Sequence, residues 1–139
     1  MSSSAKPTYG GYNKNAPLPG LEILYKHKLQ NTPGKSILGL RVDFPPGGDT
    51  PPHSHHGASV SVVVLAGKVF NKMNDEPIEI FETNGSFYES PTCKHKVSAN
   101  VSDSEPATIL ATMIMETEKL EKLLENGPFG LVDVEEEYR

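Results

Sequence analysis

Hydrophobic and polar residues alternate over short stretches along most of this 139-residue chain. In the segment SILGLRVDF at residues 36–44, one parity carries only apolar residues: Leu38, Leu40, Val42 and Phe44. Successive side chains of a β-strand point to opposite faces, so this alternation is typical of a strand with one buried face. The pattern predicts a half-buried strand here.

Seven further segments are predicted to be strands, because their apolar runs are short, alternating or β-branched, and end at Gly, Pro or Asn turns. They are residues 21–29, 58–67, 68–73, 78–82, 86–89, 96–101 and 107–115. The prolines and glycines of PPGGDTPP, residues 45–52, are expected to exclude regular structure. Many short strands separated by turns predict an all-β sandwich or barrel.

Only the segment ETEKLEKLLENG has a helical pattern, with Leu120, Leu123 and Leu124 on one stripe and Gly127 as a stop signal. We therefore divide the chain into three parts. Residues 1–20 are expected to be a flexible N-terminal arm, residues 21–116 the β-domain, and residues 117–139 a short helix followed by an acidic tail. The acidic tail is expected to be solvated.

Composition narrows the range of partners. The formal net charge of −5 disfavours binding to nucleic acid and to anionic membrane surfaces. Cys93 is the single cysteine, and the first 20 residues contain no apolar run typical of a secretory signal, so we expect a cytoplasmic protein. We also expect a homodimer, because the arm carries Tyr9, Tyr12 and Leu18, which would cover an exposed sheet edge of a second copy.

The segment PPHSHHGASVSVVVLAGK places three histidines directly before an apolar strand. In an extended chain His53 and His55 point to the same side, about 7 Å apart at Cα, so both can reach one metal ion. His56 has the opposite parity and is expected to face outward. A metal ion needs a third protein ligand, and the best candidate is His95, which follows the SFYE strand and a proline turn.

These two segments together resemble the paired motifs of the cupin superfamily. HSHHGASVSVVVLAGKV is similar to the first motif, and NGSFYESPTCKHKVSANVSDSEPATILAT is similar to the second. The resemblance covers residues 35–115 and is closest to small single-domain cupins. It implies a jelly-roll β-barrel with a metal or substrate pocket in its mouth, and frequent dimerisation.

The resemblance also shows two departures. Cupins usually supply two His and a Glu from the first motif and a His from the second, but Val60 occupies the Glu position here. The second motif has Thr92 where Gly normally follows the proline. Glu89, six residues before His95, is a candidate replacement carboxylate, either as a fourth ligand or as a catalytic general base. The sequence does not fix which way Glu89 points.

The sequence leads to two functional hypotheses. The first is a metal-dependent cupin enzyme, such as an oxygenase, decarboxylase or isomerase, with a divalent transition metal (Fe, Ni, Mn, Cu or Zn) held by His53, His55 and His95. Its small-molecule substrate is expected to be aromatic or otherwise apolar and oxygen-bearing, because the pocket walls would be apolar: Val60, Val62, Val64, Leu40, Val42 and Phe44. The second is a non-catalytic small-molecule binding or sensing cupin.

Overall fold

A computed structural model describes residues 7–139. In this part of the chain two antiparallel sheets contain eleven strands. The strands are β1 (Gly20–Lys28), β2 (Lys35–Phe44), β3 (Asp49–Thr50), β4 (His53–Ser54), β5 (Ser59–Ala66), β6 (Lys68–Met73), β7 (Glu79–Glu82), β8 (Ser86–Glu89), β9 (His95–Asn100), β10 (Ala107–Glu116) and β11 (Asp133–Val134).

The first sheet has the strand order β1-β2-β10-β5-β8, and the second has the order β11-β4-β9-β6-β7, with β3 paired to β9. Strands far apart in sequence are therefore neighbours, as in a jelly-roll barrel. The all-β prediction is confirmed, and each segment predicted to be a strand contains one.

The core lies between the sheets and follows the alternation read from the sequence. In β2, Leu38, Leu40, Val42 and Phe44 are all buried, whereas Arg41 on the other parity is partly exposed. The main apolar cluster also receives inward side chains from β5, β6 and β10. Burial of this apolar area is the main stabilising contribution to the barrel.

The proline-rich segment differs from expectation, because it contains regular pairing at Asp49 and Thr50. These residues form β3 and pair with Ala99 and Ser98 of β9. The φ angle that proline imposes is compatible with extended backbone, so prolines beside a two-residue strand do not prevent its pairing.

The C-terminal region also differs from the expected solvated tail. Helix α1 (Thr117–Leu124) is followed by a 3₁₀ helix (Pro128–Leu131) and then by β11, which pairs with β4. Leu131 is fully buried in the main core cluster. Residues 132–135 pack on the barrel, because Val132 and Val134 alternate with acidic residues, whereas residues 136–139 are exposed as expected.

The N-terminal segment described by the structure, residues 7–19, contains no strand or helix but contacts the barrel. The Tyr9 ring packs edge-on against Phe70 at 5.6 Å, and its hydroxyl donates a hydrogen bond to Asp49 at 2.9 Å. Tyr12 packs against Tyr138 at 5.6 Å. Residues 1–6 of the expected arm lie outside the described residues.

None of the helices found in residues 7–139 has both the length and the apolar character needed to cross a bilayer.

Candidate metal centre

Three histidines and one glutamate meet inside the barrel. His53 of β4 pairs directly with His95 of β9, and His55 follows one residue after the end of β4. The fourth residue, Glu89, ends β8 on the opposite sheet. One potential ligand atom from each of the four residues lies within 4.8 Å of the others. The structure thus brings together all four residues that the sequence singled out for metal binding or catalysis.

The outward-facing nitrogen of each imidazole is held by an oxygen acceptor. His53 Nδ1 lies 2.8 Å from the Pro51 carbonyl, and His55 Nδ1 lies 3.2 Å from the Leu131 carbonyl. Since a carbonyl only accepts, both Nδ1 atoms carry a proton, and Nε2 is the atom that each ring has left to bind a metal ion.

His95 has the reverse orientation. Its Nε2 donates a hydrogen bond to Asn71 Oδ1 at 2.6 Å, which leaves Nδ1 as the atom with the lone pair. This Nδ1 is buried and has no hydrogen-bond partner, although it lies 3.0 Å from Glu89 Oε1. Nδ1 is therefore an orphaned polar atom that points into the centre.

The same carboxylate oxygen also faces the second imidazole. Glu89 Oε1 lies 3.2 Å from His55 Nε2, and both side chains are almost completely buried. An ionised carboxylate buried this deeply requires a positive charge beside it, either a proton on His55 Nε2 or a metal ion. This donor set fits a divalent cation.

The electrostatics of the cluster set its protonation states. Burial, reinforced by the neighbouring His95 and His55, lowers the pKa of His53 to about 3. Burial alone would raise the pKa of Glu89, but the adjacent His95 and His55 hold it well below its usual value. At neutral pH, His53 is therefore neutral and Glu89 ionised, which are the forms that bind metal.

The pKa of His55 is shifted upward, in the opposite direction to that of His53. Burial alone would lower its pKa, but the Glu89 carboxylate raises it overall. In the metal-free protein, a proton on His55 Nε2 supplies the positive charge that compensates the ionised Glu89. A metal ion would have to displace this proton.

A cavity of about 190 Å³ opens beside the cluster. All four candidate ligands line it, together with two hydroxyl residues, Thr50 and Ser98, while the rest of the wall is apolar. Among the residues that the structure describes, none of the cavity-lining side chains is a lysine or an arginine. An uncharged wall of this kind suits an apolar molecule more than a strongly charged one.

The cavity wall agrees with the sequence expectation at four positions and differs at two. Leu40, Val42, Phe44 and Val62 line the cavity. Val60 and Val64 are not among the lining residues; both are fully buried in the main core cluster. They share the inward parity of Val62 but lie outside the cavity, at other positions along β5.

Sequence reasoning missed the groups that orient the histidines. Asn71 is buried and shares the parity of Val69 and Met73 in β6, so a polar residue on that otherwise apolar parity was a usable signal. Nothing in the sequence could have identified the Pro51 and Leu131 carbonyls as hydrogen-bond acceptors, because every residue carries a carbonyl. The C-terminal wall formed by Phe129, Val132 and Val134 was also missed, since the tail was expected to be solvated.

Comparison with known proteins gives a family and a set of relatives. The family model for the cupin domain matches residues 40–113, more than half of the chain. Germin-like protein 3-1 of Oryza sativa subsp. japonica is 30% identical over 105 residues, which are 71% of this chain and 47% of that protein. Germin-like protein 5-1 of the same plant is 41% identical over 68 residues, 49% of this chain and 25% of that protein. The chain thus spans about half the length, or less, of these relatives.

Solved structures share the fold at lower identity. A double-stranded β-helix protein of Klebsiella pneumoniae superposes with a TM-score of 0.59 at 12% identity, covering 81% of this chain and 84% of that one. An oxalate oxidase in complex with the substrate analogue glycolate superposes with a TM-score of 0.56 at 19% identity, covering 81% and 62%. The jelly-roll barrel and the match over residues 40–113 lead to one conclusion: this chain belongs to the cupin family.

Proposed function

We propose that this chain is a metal-dependent enzyme that acts on a small, apolar or aromatic, oxygen-bearing molecule. One observation carries the proposal: the buried Glu89 Oε1 lies 3.0 Å from His95 Nδ1 and 3.2 Å from His55 Nε2, and His95 Nδ1 has no hydrogen-bond partner. A divalent cation among these atoms would satisfy the orphaned Nδ1 and would replace the proton on His55 Nε2 as the counter-charge of Glu89. Its position beside an apolar cavity favours catalysis over a purely structural role.

His53, His55, Glu89 and His95 would hold the ion. Three neutral imidazoles and one carboxylate suit Fe, Ni, Mn, Cu or Zn. A bound ion of this kind supplies a Lewis acid that polarises a substrate oxygen or lowers the pKa of water.

The chain's own residues bind and orient the substrate. The apolar side chains of Leu40, Val42 and Val62 exclude water from its carbon skeleton, and the Thr50 and Ser98 hydroxyls offer hydrogen bonds to its oxygen. Glu89 stays ionised because its pKa is held low, so it acts as an anionic ligand or accepts a proton at Oε1. It is unsuited to donate a proton at neutral pH.

The lining disfavours a small dianion as substrate. One structural neighbour is an oxalate oxidase, and oxalate carries two carboxylates. Within the described part of this chain, the cavity offers no lysine or arginine, and its one acidic residue is Glu89. A second unpaired carboxylate would be costly to bury beside Glu89. A neutral substrate with a single coordinating oxygen avoids that cost.

The metal part of the proposal is tested by titrating Co²⁺ into metal-free, untagged protein in a calorimeter. We expect one ion per chain, and we expect His95→Ala to weaken binding severely because it removes the orphaned Nδ1. His27→Ala is the matched control, since His27 is exposed on β1 and stacks on Tyr25, away from the cluster. Absence of Co²⁺ binding by the parent protein would reject the metal centre.

The catalytic part is tested with metal-loaded protein and a panel of phenols, apolar alcohols and ketones, with glucose and oxalate as comparison compounds. Conversion of an apolar panel member, lost in Glu89→Gln, supports an enzyme. Saturable binding of phenol without conversion of any compound would instead support a non-catalytic binding cupin. Conversion of oxalate alone would contradict the proposed substrate class.

A further inference from the structure

We infer that the C-terminal segment of residues 128–135 is a positioning element for the metal centre, so that its docking on the barrel and metal binding are coupled. The inference rests on the proposed metal centre, because it concerns how two of the candidate ligands are held. It assigns a role to a part of the chain that follows the cupin motifs and lies outside residues 40–113.

Three contacts connect this segment to the ligands. The Leu131 carbonyl accepts the hydrogen bond from His55 Nδ1 at 3.2 Å. Strand β11 pairs with β4, where Val134 lies opposite His53. Immediately afterwards, the Glu135 amide donates to the Pro52 carbonyl at 3.0 Å. The segment therefore supports both histidines of the first motif.

The Leu131 carbonyl has a specific chemical effect on His55. Because a carbonyl only accepts, it keeps a proton on Nδ1 and directs Nε2 toward Glu89 and the candidate metal centre. Outer partners of this kind fix the tautomer and ring orientation of a metal-binding histidine, and their loss typically costs about 10- to 100-fold in metal affinity.

The segment itself is held between the core and helix α1. Leu131 is fully buried, and a Cβ atom added at Gly130 would collide with the Leu123 carbonyl oxygen of α1. The close approach at Gly130 thus determines where the next residue places its carbonyl. Any larger residue at position 130 must push the 3₁₀ helix away from α1.

Coupling of this kind is reciprocal. If undocking the segment releases His55 and loosens β4, the undocked state binds metal poorly. Saturation with metal must then make undocking rarer, by a factor that approaches the loss of affinity. A segment that merely covers the barrel, without orienting a ligand, would be indifferent to metal.

The first test is amide hydrogen exchange of the full-length protein with and without saturating Co²⁺. We expect the amides of Val132 and Glu135 to exchange about tenfold more slowly, or slower still, with the ion bound. The turn amides of Asn84 and Gly85, which bond to Val64 and Glu82, serve as internal controls and should not change. Binding of Co²⁺ without any slowing in residues 130–135 would overturn this inference and leave the metal centre intact.

The second test is Gly130→Ala, with Gly20→Ala as the matched control because an added Cβ there meets nothing within 4 Å. We expect about 10- to 100-fold weaker Co²⁺ binding and an altered Co²⁺ absorption spectrum in Gly130→Ala only. Unchanged affinity and spectrum in a folded Gly130→Ala protein would also overturn the inference. If Gly130→Ala does not fold, the exchange experiment on the parent decides. A parent protein that binds no Co²⁺ rejects the proposed metal centre and this inference together.

Discussion

Val60 and Glu89 lie directly opposite each other on strands β5 and β8, and both side chains are buried inside the barrel. Side chains paired in this way have Cβ atoms about 4.5–5.5 Å apart. The first cupin motif normally carries a carboxylate at the position of Val60, and in this chain the neighbouring strand supplies one. Relative to the usual motif, the carboxylate is thus supplied from the adjacent strand, and it lies beside both His55 and His95.

This relationship predicts that the carboxylate can be moved back. Glu89→Val should weaken Co²⁺ binding by more than the roughly 100-fold expected for loss of an outer partner. The double variant Val60→Glu/Glu89→Val should recover much of that loss, because it returns one carboxylate to the histidine cluster. Calorimetric titration of the parent, the single variant and the double variant measures both effects.

Exposed Glu79 of β7 provides the control for loss of one negative charge, and Glu79→Val should leave Co²⁺ affinity unchanged. We expect Val60→Glu alone to destabilise the metal-free protein, since it buries a second carboxylate beside Glu89. A double variant that binds no better than Glu89→Val would show that position 60 does not point at the ion.

Asn71 is predicted to orient His95 by accepting the hydrogen bond from its Nε2. Asn71→Ala should weaken Co²⁺ binding by about 10- to 100-fold. Asn71→Asp keeps an acceptor oxygen at the same place and should retain or improve the affinity. If Asn71→Asp binds as poorly as Asn71→Ala, the Asn71 amide donates to Nε2, and His95 Nδ1 carries a proton instead of a lone pair.

The sequence was sufficient for the fold because burial follows side-chain parity. In β2 the alternation alone identified the inward face, and the i, i+2 spacing placed His53 and His55 on one side. It was insufficient for Glu89, because the short SFYE strand shows no clear parity and its pairing with β5 exists only in the folded chain. Periodicity likewise says which residues face inward but not how deep each lies.

The buried state of His53 predicts how the stability of the metal-free protein depends on pH. The folded pKa is about 3, against an ordinary value of 6.5. Between these values the unfolded chain binds a proton that the folded chain does not, so stability rises with pH by up to about 1.4 kcal/mol per pH unit. Urea unfolding at several pH values between 4.5 and 6.5 measures this slope.

The His53 contribution is read as the difference between parent and variant, because burial raises the pKa of Asp49 above 3.8 and adds a slope of the opposite sign. Well below pH 6.5, His55 is protonated in both states because the Glu89 carboxylate raises its folded pKa, so it adds no slope at the acidic end of the window. Because the pKa of Glu89 is depressed, protonation of this residue in the unfolded chain also lowers stability on acidification, but only below about pH 4.5. His53→Gln, which keeps an amide donor for the Pro51 carbonyl, should flatten the curve, whereas exposed His27→Gln should not. Equal slopes in His53→Gln and the parent would show that His53 is not buried in its neutral form.

Ala111 gives the sharpest test of the cavity. It lines the cavity from β10, between Leu40 and Val62 on the neighbouring strands. Ala111→Leu should fill part of the 190 Å³ space and exclude phenol, while leaving Co²⁺ affinity within about twofold, since position 111 is not one of the clustered ligands.

Ala107→Leu is the matched control on the same face of the same strand, but in the packed core outside the cavity. Because that site has no free space, Ala107→Leu should lower the free energy of unfolding by about 1–3 kcal/mol. Ala111→Leu should cost less, because its added atoms enter an empty apolar space. Calorimetric titration with phenol and urea unfolding of both variants measure the two effects. Phenol binding that survives Ala111→Leu would place the ligand site elsewhere.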